Sequence, residues 1–410
     1  MAKESVKTRK GKEEERKSNS IVAVDRISKL PDPVIYHILS FVPTVYAVRM
    51  SLLSRRWRRM WYSVPTLQFS ELDGFHKRAS FDVFVEKCLM HRSRAMRYIA
   101  DSFVTSFMLD ILYSRDSDRP AVNRWIKSSI IQNNVKELDI CGNQVHTNGF
   151  GDYMPSVVLN GRSLSIIKLK GLKLDGSCSM NLPSLKSLYL DDVAFGGDEH
   201  RILQNLMIGS PSLEKFVLKD CDIDNIKISS SSLKYLEFKT DCKDSLDVDA
   251  LNLQSLLIDC YGCPRIGFSS CTAIRDLSLS EFCNGIDQNI DNQIFKLTCL
   301  ENLTLTICEE FDHINILSPT LKCFCLIKVY EQKLEVTTET PNLVSFEYQG
   351  DTKFSITIKT LNPQLSGKIL FWRPLGKKYD TEFWYTELIA FLTNINCLWN
   401  SLSLHCDEKV

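Results

Sequence analysis

The sequence predicts a mixed α/β chain in which a short helical segment precedes a long array of parallel strands. Two observations carry that prediction. First, an apolar residue, two free positions, a second apolar residue, one free position and a third apolar residue recur along the chain. The spacing fits Val135/Leu138/Ile140, Leu164/Ile167/Leu169, Leu185/Leu188/Leu190, Leu213/Phe216/Leu218 and Leu233/Leu236/Phe238. It continues with Leu253/Leu256/Ile258, Ile274/Leu277/Leu279, Leu300/Leu303/Leu305, Leu321/Phe324/Leu326 and Leu343/Phe346/Tyr348. Successive starting positions lie 20 to 29 residues apart, the period of a leucine-rich repeat solenoid. Such an array buries a continuous apolar ladder and presents one long concave face, a geometry suited to binding. Second, residues 24–66 differ from everything after them and carry apolar residues at helical spacing.

Bulk composition narrows the function classes. Lysine plus arginine and aspartate plus glutamate are equal at 50 each, so no net charge drives the chain toward nucleic acid or an anionic membrane. No run of about 18 apolar residues is present to span a bilayer. The opening segment MAKESVKTRKGKEEERKSNS has no apolar core, so it is not a secretory signal. Residues 1–23 read as a charged, disordered tail. Lys7, Arg9, Lys10 and Lys12 hint at a nuclear address, but Glu13, Glu14 and Glu15 interrupt it. Fifteen cysteines without such a signal point to a reducing compartment, with thiols packed as small hydrophobes. The expected location is cytoplasmic and/or nuclear.

Within 24–66, Asp32 to Phe41 reads as a helix after Pro31, with Val34, Ile35, Ile38 and Leu39 at helical spacing. Pro43 stops it, and Thr44 is placed to cap a second helix holding Ala47, Val48 and Leu52. Ser54 is placed to cap a third, in which Trp57 and Trp61 share a face. Three such helices bury little surface by themselves, and this segment is rich in leucine, isoleucine, valine and tryptophan. The surplus implies a partner, or packing onto the array.

Between 67 and 134 the repeat begins in longer form, with Val64/Leu67/Phe69 and Val104/Phe107/Leu109 on the strand spacing. Ser80 to His91 and Asp118 to Ile131 read as amphipathic helices between strands. Repeats of 20–22 residues are too short for a helix on the return leg. The longer one has room, with Ile202, Leu203, Leu206 and Met207 on one face of Asp198 to Ile208. After about 355 the pattern fades into a helix over Thr381 to Ile395 and a final strand at Leu402 and Leu404. A distinct cap is expected there, because an array end exposes apolar surface.

The segment VDRISKLPDPVIYHILSFVPTVYAVRMSLLSRRWRRMWYSVPTLQF closely resembles an F-box. Leu30-Pro31, Ile38-Leu39-Ser40, Pro43-Thr44, Ala47-Val48, the SLLSRRW run from Ser51 to Trp57, Trp61 and Val64-Pro65 carry the match. Followed at once by leucine-rich repeats, the chain resembles the plant F-box/leucine-rich-repeat family. FWYTELIAFLTNINCLWNSLSL is similar to part of that family's FBD region, which makes 356–410 an FBD-like cap. Val45 stands where relatives usually have lysine, and Met50 where they favour threonine. The resemblance implies docking onto a Skp-family adaptor, and through it onto cullin and RING subunits, while the repeats (67–355) hold a target for ubiquitin transfer. It implies adaptor contacts from Leu30, Pro31, Ile35, Ile38, Leu39, Val42, Val48, Leu52 and Trp57, some of which must also pack the helices together.

The free positions of each repeat point away from the core. Down the array the central one reads Asp139, Lys168, Tyr189, Val217, Glu237, Leu257, Ser278, Thr304, Cys325 and Glu347. A nucleic-acid groove needs a basic stripe with stacking aromatics, and this column is neither. A protein partner fits better, with Tyr189, Val217, Tyr235, Glu237 and Leu257 as candidate target contacts. No catalytic motif is present: there is no G-x-S-x-G, no phosphate-cradling glycine loop and no H-E-x-x-H. Cys260 and Cys263 form a C-x-x-C with Cys271 nearby, but a structural zinc site needs four ligands; packed free thiols are expected. No cofactor or metal is expected, and the resemblance implies a non-catalytic ligase subunit. The alternatives are a plain binding scaffold, or a receptor with a small ligand in the concave face.

Overall fold

A computed structural model describes residues 29–407, with breaks at 76, 96–97, 99–103, 114–118, 134, 145–157, 176–179, 241, 261–264, 283–289, 308–312, 330–332, 373–380 and 397–398. The tail read over 1–23 lies outside the described residues. The chain divides into two units, residues 1–64 and residues 65–410.

Among the described residues the first unit holds three helices, Asp32–Ser40, Thr44–Met50 and Arg55–Trp61. Pro31 and Pro43 occupy the two caps with extended backbone, since a proline ring presets the entry angle and needs no amide partner. Thr44, expected as a cap, is instead the first helical residue and is buried. Ser54 caps as expected: its Oγ accepts from the Trp57 N–H at 3.2 Å. Arg56 ties the third helix to the start of the first. Its Nε donates to Asp32 Oδ1 at 2.7 Å, and the guanidinium also donates to the Leu30 carbonyl. Arg55, Arg58 and Arg59 face solvent. The Ser54→Ala variant is expected to lose about 1 kcal/mol of local stability. Amides of residues 55–61 in the full chain should then exchange with deuterium several-fold faster; unchanged exchange would show that the cap carries no weight.

Among the described residues of the second unit fourteen parallel strands form one sheet, in chain order apart from interleaved strands elsewhere. They are Thr66–Ser70, Ser106–Tyr113, Glu137–Gln144, Ile166–Lys170, Ser187–Asp191, Lys215–Lys219, Tyr235–Lys239, Ser255–Asp259, Asp276–Phe282, Asn302–Ile307, Cys323–Lys328, Ser345–Gly350, Ser366–Trp372 and Ser401–Asp407. The apolar spacing fixes their register: Leu236 pairs with Phe216 and Leu256, and Phe238 with Leu218 and Ile258. A slip of one residue would turn every such side chain to the other face. Each repeat's first apolar residue, from Val104 to Leu343, is fully buried below the strand. The approach to each strand repeats too. The Lys136 carbonyl accepts from the Ser165 and Ile166 amides, and the Ser165 carbonyl from Lys186 and Ser187, so the turn's donors are satisfied.

Where a strand ends, the chain turns through the left-handed region at Gly171, Asp192 and Asp220. Each of these amides donates to the last residue of the next strand, at 2.9–3.0 Å. Glycine is required at 171, where a Cβ would collide with the Gly142 carbonyl; aspartate is among the few side chains that tolerate this conformation.

The return legs hold helices where the repeat is long: Arg78–Ala95, Arg119–Asn133 and Glu199–Gly209. In the short repeats the structure adds something the periodicity did not disclose. Their return legs are strands, not loops. Ile223–Ser229, Cys242–Asp249 and Arg265–Gly267 form a three-stranded parallel sheet. His313–Leu317, Leu334–Glu339, Phe354–Lys359 and Ile395–Asn396 form a four-stranded one. About 20 residues hold two short strands and two turns where they cannot hold a strand and a helix. The buried alternations Ile226/Ile228, Leu246/Val248, Ile314/Ile316 and Ile356/Ile358 face inward. The short helix Ile290–Phe295 follows the first of these back sheets and caps its open edge. Gln293 there donates from Nε2 to the Ile266 carbonyl at 2.8 Å and accepts at Oε1 from the Phe268 amide at 3.0 Å.

The boundary drawn at 355 does not mark the end of the array. Two further strands, Ser366–Trp372 and Ser401–Asp407, extend the long sheet in register. The expected helix is present as Thr381–Asn394, and its Phe391 packs on Tyr348, Phe354 and Phe371 with ring centroids 5.0–6.1 Å apart. The segment read as a cap is built as more solenoid.

Candidate functional site

Two surfaces are candidate docking sites, one in each unit. In the helical unit the nine residues assigned to adaptor contact separate into two groups. Ile35, Leu39 and Trp57 are buried and serve the packing of the bundle; Leu39, with no exposed area at all, is the plainest correction to the sequence reading. Pro31 and Leu52 are exposed, Leu52 by 76%, and Leu30, Ile38, Val42 and Val48 are half-buried. The structure adds side chains that the assignment missed. Phe41 is 75% exposed, and Leu53, Val34 and Tyr46 are also open to solvent. The signal was available: Phe41 and Leu52-Leu53 lie in turns just past helix ends, where an apolar side chain has no helical face to bury. Val45, at the position where relatives carry lysine, is buried.

On the long sheet the predicted outward column is in register from end to end. Asp139 pairs with Lys168, Lys168 with Tyr189, Tyr189 with Val217, Val217 with Glu237, and Glu237 with Leu257. Ser278, Thr304, Cys325 and Glu347 follow. Of the five target-contact candidates, Tyr189, Tyr235, Glu237 and Leu257 are half-buried and face outward. Val217 is only 3% exposed; its register neighbours Tyr189 and Glu237 are far longer and leave it no access. It supports the patch without presenting a surface.

The polar groups of this patch form a chain of contacts across strands. Lys168 donates to Glu137 at 2.8 Å, and Lys170 to Asp191 at 2.8 Å. The Lys215 ammonium lies 5.4 Å from the Tyr189 ring centre and 4.2 Å from that of Tyr235. The Tyr235 hydroxyl donates to Glu237 Oε2 at 2.8 Å, and Lys219 meets Glu237 Oε1 at 2.9 Å. Burial pushes the Tyr235 phenol up to about 12, helped by its bond to the Glu237 carboxylate. Burial alone pushes Glu237 up, but hydrogen bonds from Lys219 and Tyr235 and the charges of Lys219 and Lys239 outweigh it. The net result is a carboxyl held below its ordinary range.

A carboxyl depressed in the folded state contributes stability above its unfolded pKa, and loses it as pH falls through the folded value. The Glu237→Gln variant is therefore expected to melt lower than the parent at pH 6, by an amount reflecting about 1.5 kcal/mol of lost charge-assisted bonding. The gap should close as both are taken toward pH 3. A gap independent of pH would mean that Glu237 acts by shape alone.

Cys260 and Cys271 are both buried, while Cys263 lies outside the described residues. Among the described residues no group of three or more His, Cys, Asp or Glu is arranged to hold a metal ion. Among them, too, no helix is long and apolar enough to cross a membrane.

Residues 27–69 match the F-box domain family, and residues 122–278 match a family described as the leucine-rich repeats of the FBD-associated F-box protein At5g56370. The helical bundle thus coincides with the F-box match, and the parallel ladder with the leucine-rich-repeat match. Its homologues are Arabidopsis thaliana proteins of the F-box/FBD/LRR-repeat type, the family that the sequence resembled. The chain is 27% identical over 368 residues to the F-box/FBD/LRR-repeat protein At4g13965, covering 85% of this chain and 78% of that one. It is 32% identical over 263 residues to the F-box protein At3g59000, covering 58% and 48%. Against F-box/LRR-repeat protein 13 it is 33% identical over 218 residues, covering 51% and 45%. The match thus spans about half the length of the latter two relatives.

Proposed function

We propose that this chain is the substrate-recognition subunit of a Skp–cullin–F-box ubiquitin ligase. In this reading the helical unit docks a Skp-family adaptor, and the outward face of the long sheet holds a target protein. F-box domains in general bind Skp-family adaptors, and F-box proteins with leucine-rich repeats are in general non-catalytic. The observation that carries the reading is the exposed set Pro31, Phe41, Leu52 and Leu53 on so small a bundle. Large apolar side chains displayed at turns cost solvation until a partner covers them. The contribution to catalysis is geometric: holding a target near the charged conjugating enzyme raises the effective concentration of its lysines. The protein would act in the cytoplasm or the nucleus.

The test is co-purification of the full chain with a Skp-family adaptor and a cullin. Recovery of cullin only when the adaptor is present supports a ligase subunit. Adaptor bound without cullin would leave a binding scaffold, and neither bound would remove the ligase reading.

A further inference from the structure

The centre of the outward sheet face is polar in an unbalanced way. Over the four strands Ile166–Lys170, Ser187–Asp191, Lys215–Lys219 and Tyr235–Lys239, the outward positions hold Lys168, Lys170, Lys215, Lys219 and Lys239 against only Asp191 and Glu237. The bordering strand supplies Glu137 to Lys168. Lys170 has Asp191, and Lys219 and Lys239 share Glu237 at 2.9 and 3.8 Å. Lys215 has none of these. Its ammonium lies between the Tyr189 and Tyr235 rings, and among the described residues it meets no carboxylate or carbonyl oxygen. The Tyr189 hydroxyl likewise has no hydrogen-bond partner among the described residues. Its neighbour Tyr235, by contrast, spends its hydroxyl on Glu237.

We infer that Lys215, walled by Tyr189 and Tyr235, is the recognition point for an aspartate or glutamate side chain of the target. This rests on the reading of the sheet face as the target-binding surface. One carboxylate oxygen would accept from the Lys215 ammonium and the other from the Tyr189 hydroxyl, two donors on adjacent strands that the fold leaves unspent. The tyrosine rings would cover the acidic residue's methylenes and exclude water, which strengthens the ion pair. The surplus of lysines would attract an acidic segment at long range, so binding should weaken with salt.

The test uses the full chain and three fluorescent peptides of equal length: alternating glutamate and glycine, alternating lysine and glycine, and alternating leucine and serine. Anisotropy is read at low and high salt, for the parent, Lys215→Ala, Lys215→Glu and Lys127→Ala. The last removes an exposed lysine from the helix Arg119–Asn133. The expected result is binding of the glutamate peptide, salt-sensitive, about five- to tenfold weaker in Lys215→Ala and unchanged in Lys127→Ala. In Lys215→Glu the preference should pass to the lysine peptide. Equal binding by parent and Lys215→Ala would overturn the inference. Binding of the lysine peptide to the parent would overturn it, and so would binding of the leucine peptide in place of the glutamate peptide. Loss of that leucine-peptide binding in a further variant, Leu257→Asp, would still leave the sheet face as a peptide-binding surface. No peptide bound by the parent would overturn both.

Discussion

Replacing Lys328 by methionine is expected to lower stability by about 3–5 kcal/mol, the cost of stripping one partner from a buried ion pair. Lys328 ends a strand of the long sheet with its side chain 3% exposed, and its ammonium sits 2.7 Å from Asp351 Oδ1. A second donation reaches the Lys353 carbonyl at 3.1 Å. Asp351 in turn shapes the turn into the following back strand. Its Oδ1 accepts from the Lys353 amide at 2.8 Å, and its carbonyl accepts from the Tyr348 hydroxyl at 2.9 Å. Without Lys328 the Asp351 carboxylate keeps its burial and loses its counter-charge. The companion variant Lys328→Met with Asp351→Asn removes both charges while keeping an acceptor for the Lys353 amide, so most of the loss should be regained. Urea midpoints of the parent, the single and the double variant decide this. A single variant within about 1 kcal/mol of the parent would mean that water reaches the pair.

The second large effect separates two leucines that look alike in sequence. Leu39→Asp should unfold the helical unit, because a carboxylate at a position with no exposed area costs several kcal/mol and the small bundle has little to spare. Leu52→Asp should leave the helices intact, since the side chain is already 76% exposed, yet weaken adaptor binding by at least about tenfold, or about 1.4 kcal/mol. Hydrogen exchange across residues 32–61 reports the fold, and calorimetry with a Skp-family adaptor reports the binding. If Leu52→Asp binds as the parent does, the exposed turns are not the docking surface.

Much of the fold was legible because the strand spacing is a physical necessity. Only residues two apart on a strand share a face, and only a residue three before them reaches under the strand. All ten triplets from Val135/Leu138/Ile140 to Leu343/Phe346/Tyr348 therefore land on buried positions. The outward column followed for the same reason. The back sheets were not legible because their alternations are short and mixed with polar residues. Leu334, Val336 and Thr338 are all buried, and a buried threonine gives no apolar signal. Val217 reads as a surface residue from its position, but its burial is set by neighbours on two other strands. In the helical unit, helices of seven to nine residues carry apolar side chains on most sides. Periodicity alone could not tell Leu39, which packs inward, from Leu52, which does not.

One titration tests the two surfaces most directly: a purified Skp-family adaptor added to the full chain, to Leu52→Asp, and to a variant with both Tyr189 and Tyr235 changed to alanine. The predicted result is a stoichiometric complex with the parent, retained in the tyrosine variant and lost in Leu52→Asp. No complex with the parent, or equal loss in both variants, would contradict the assignment of separate docking surfaces to the helical unit and the sheet face.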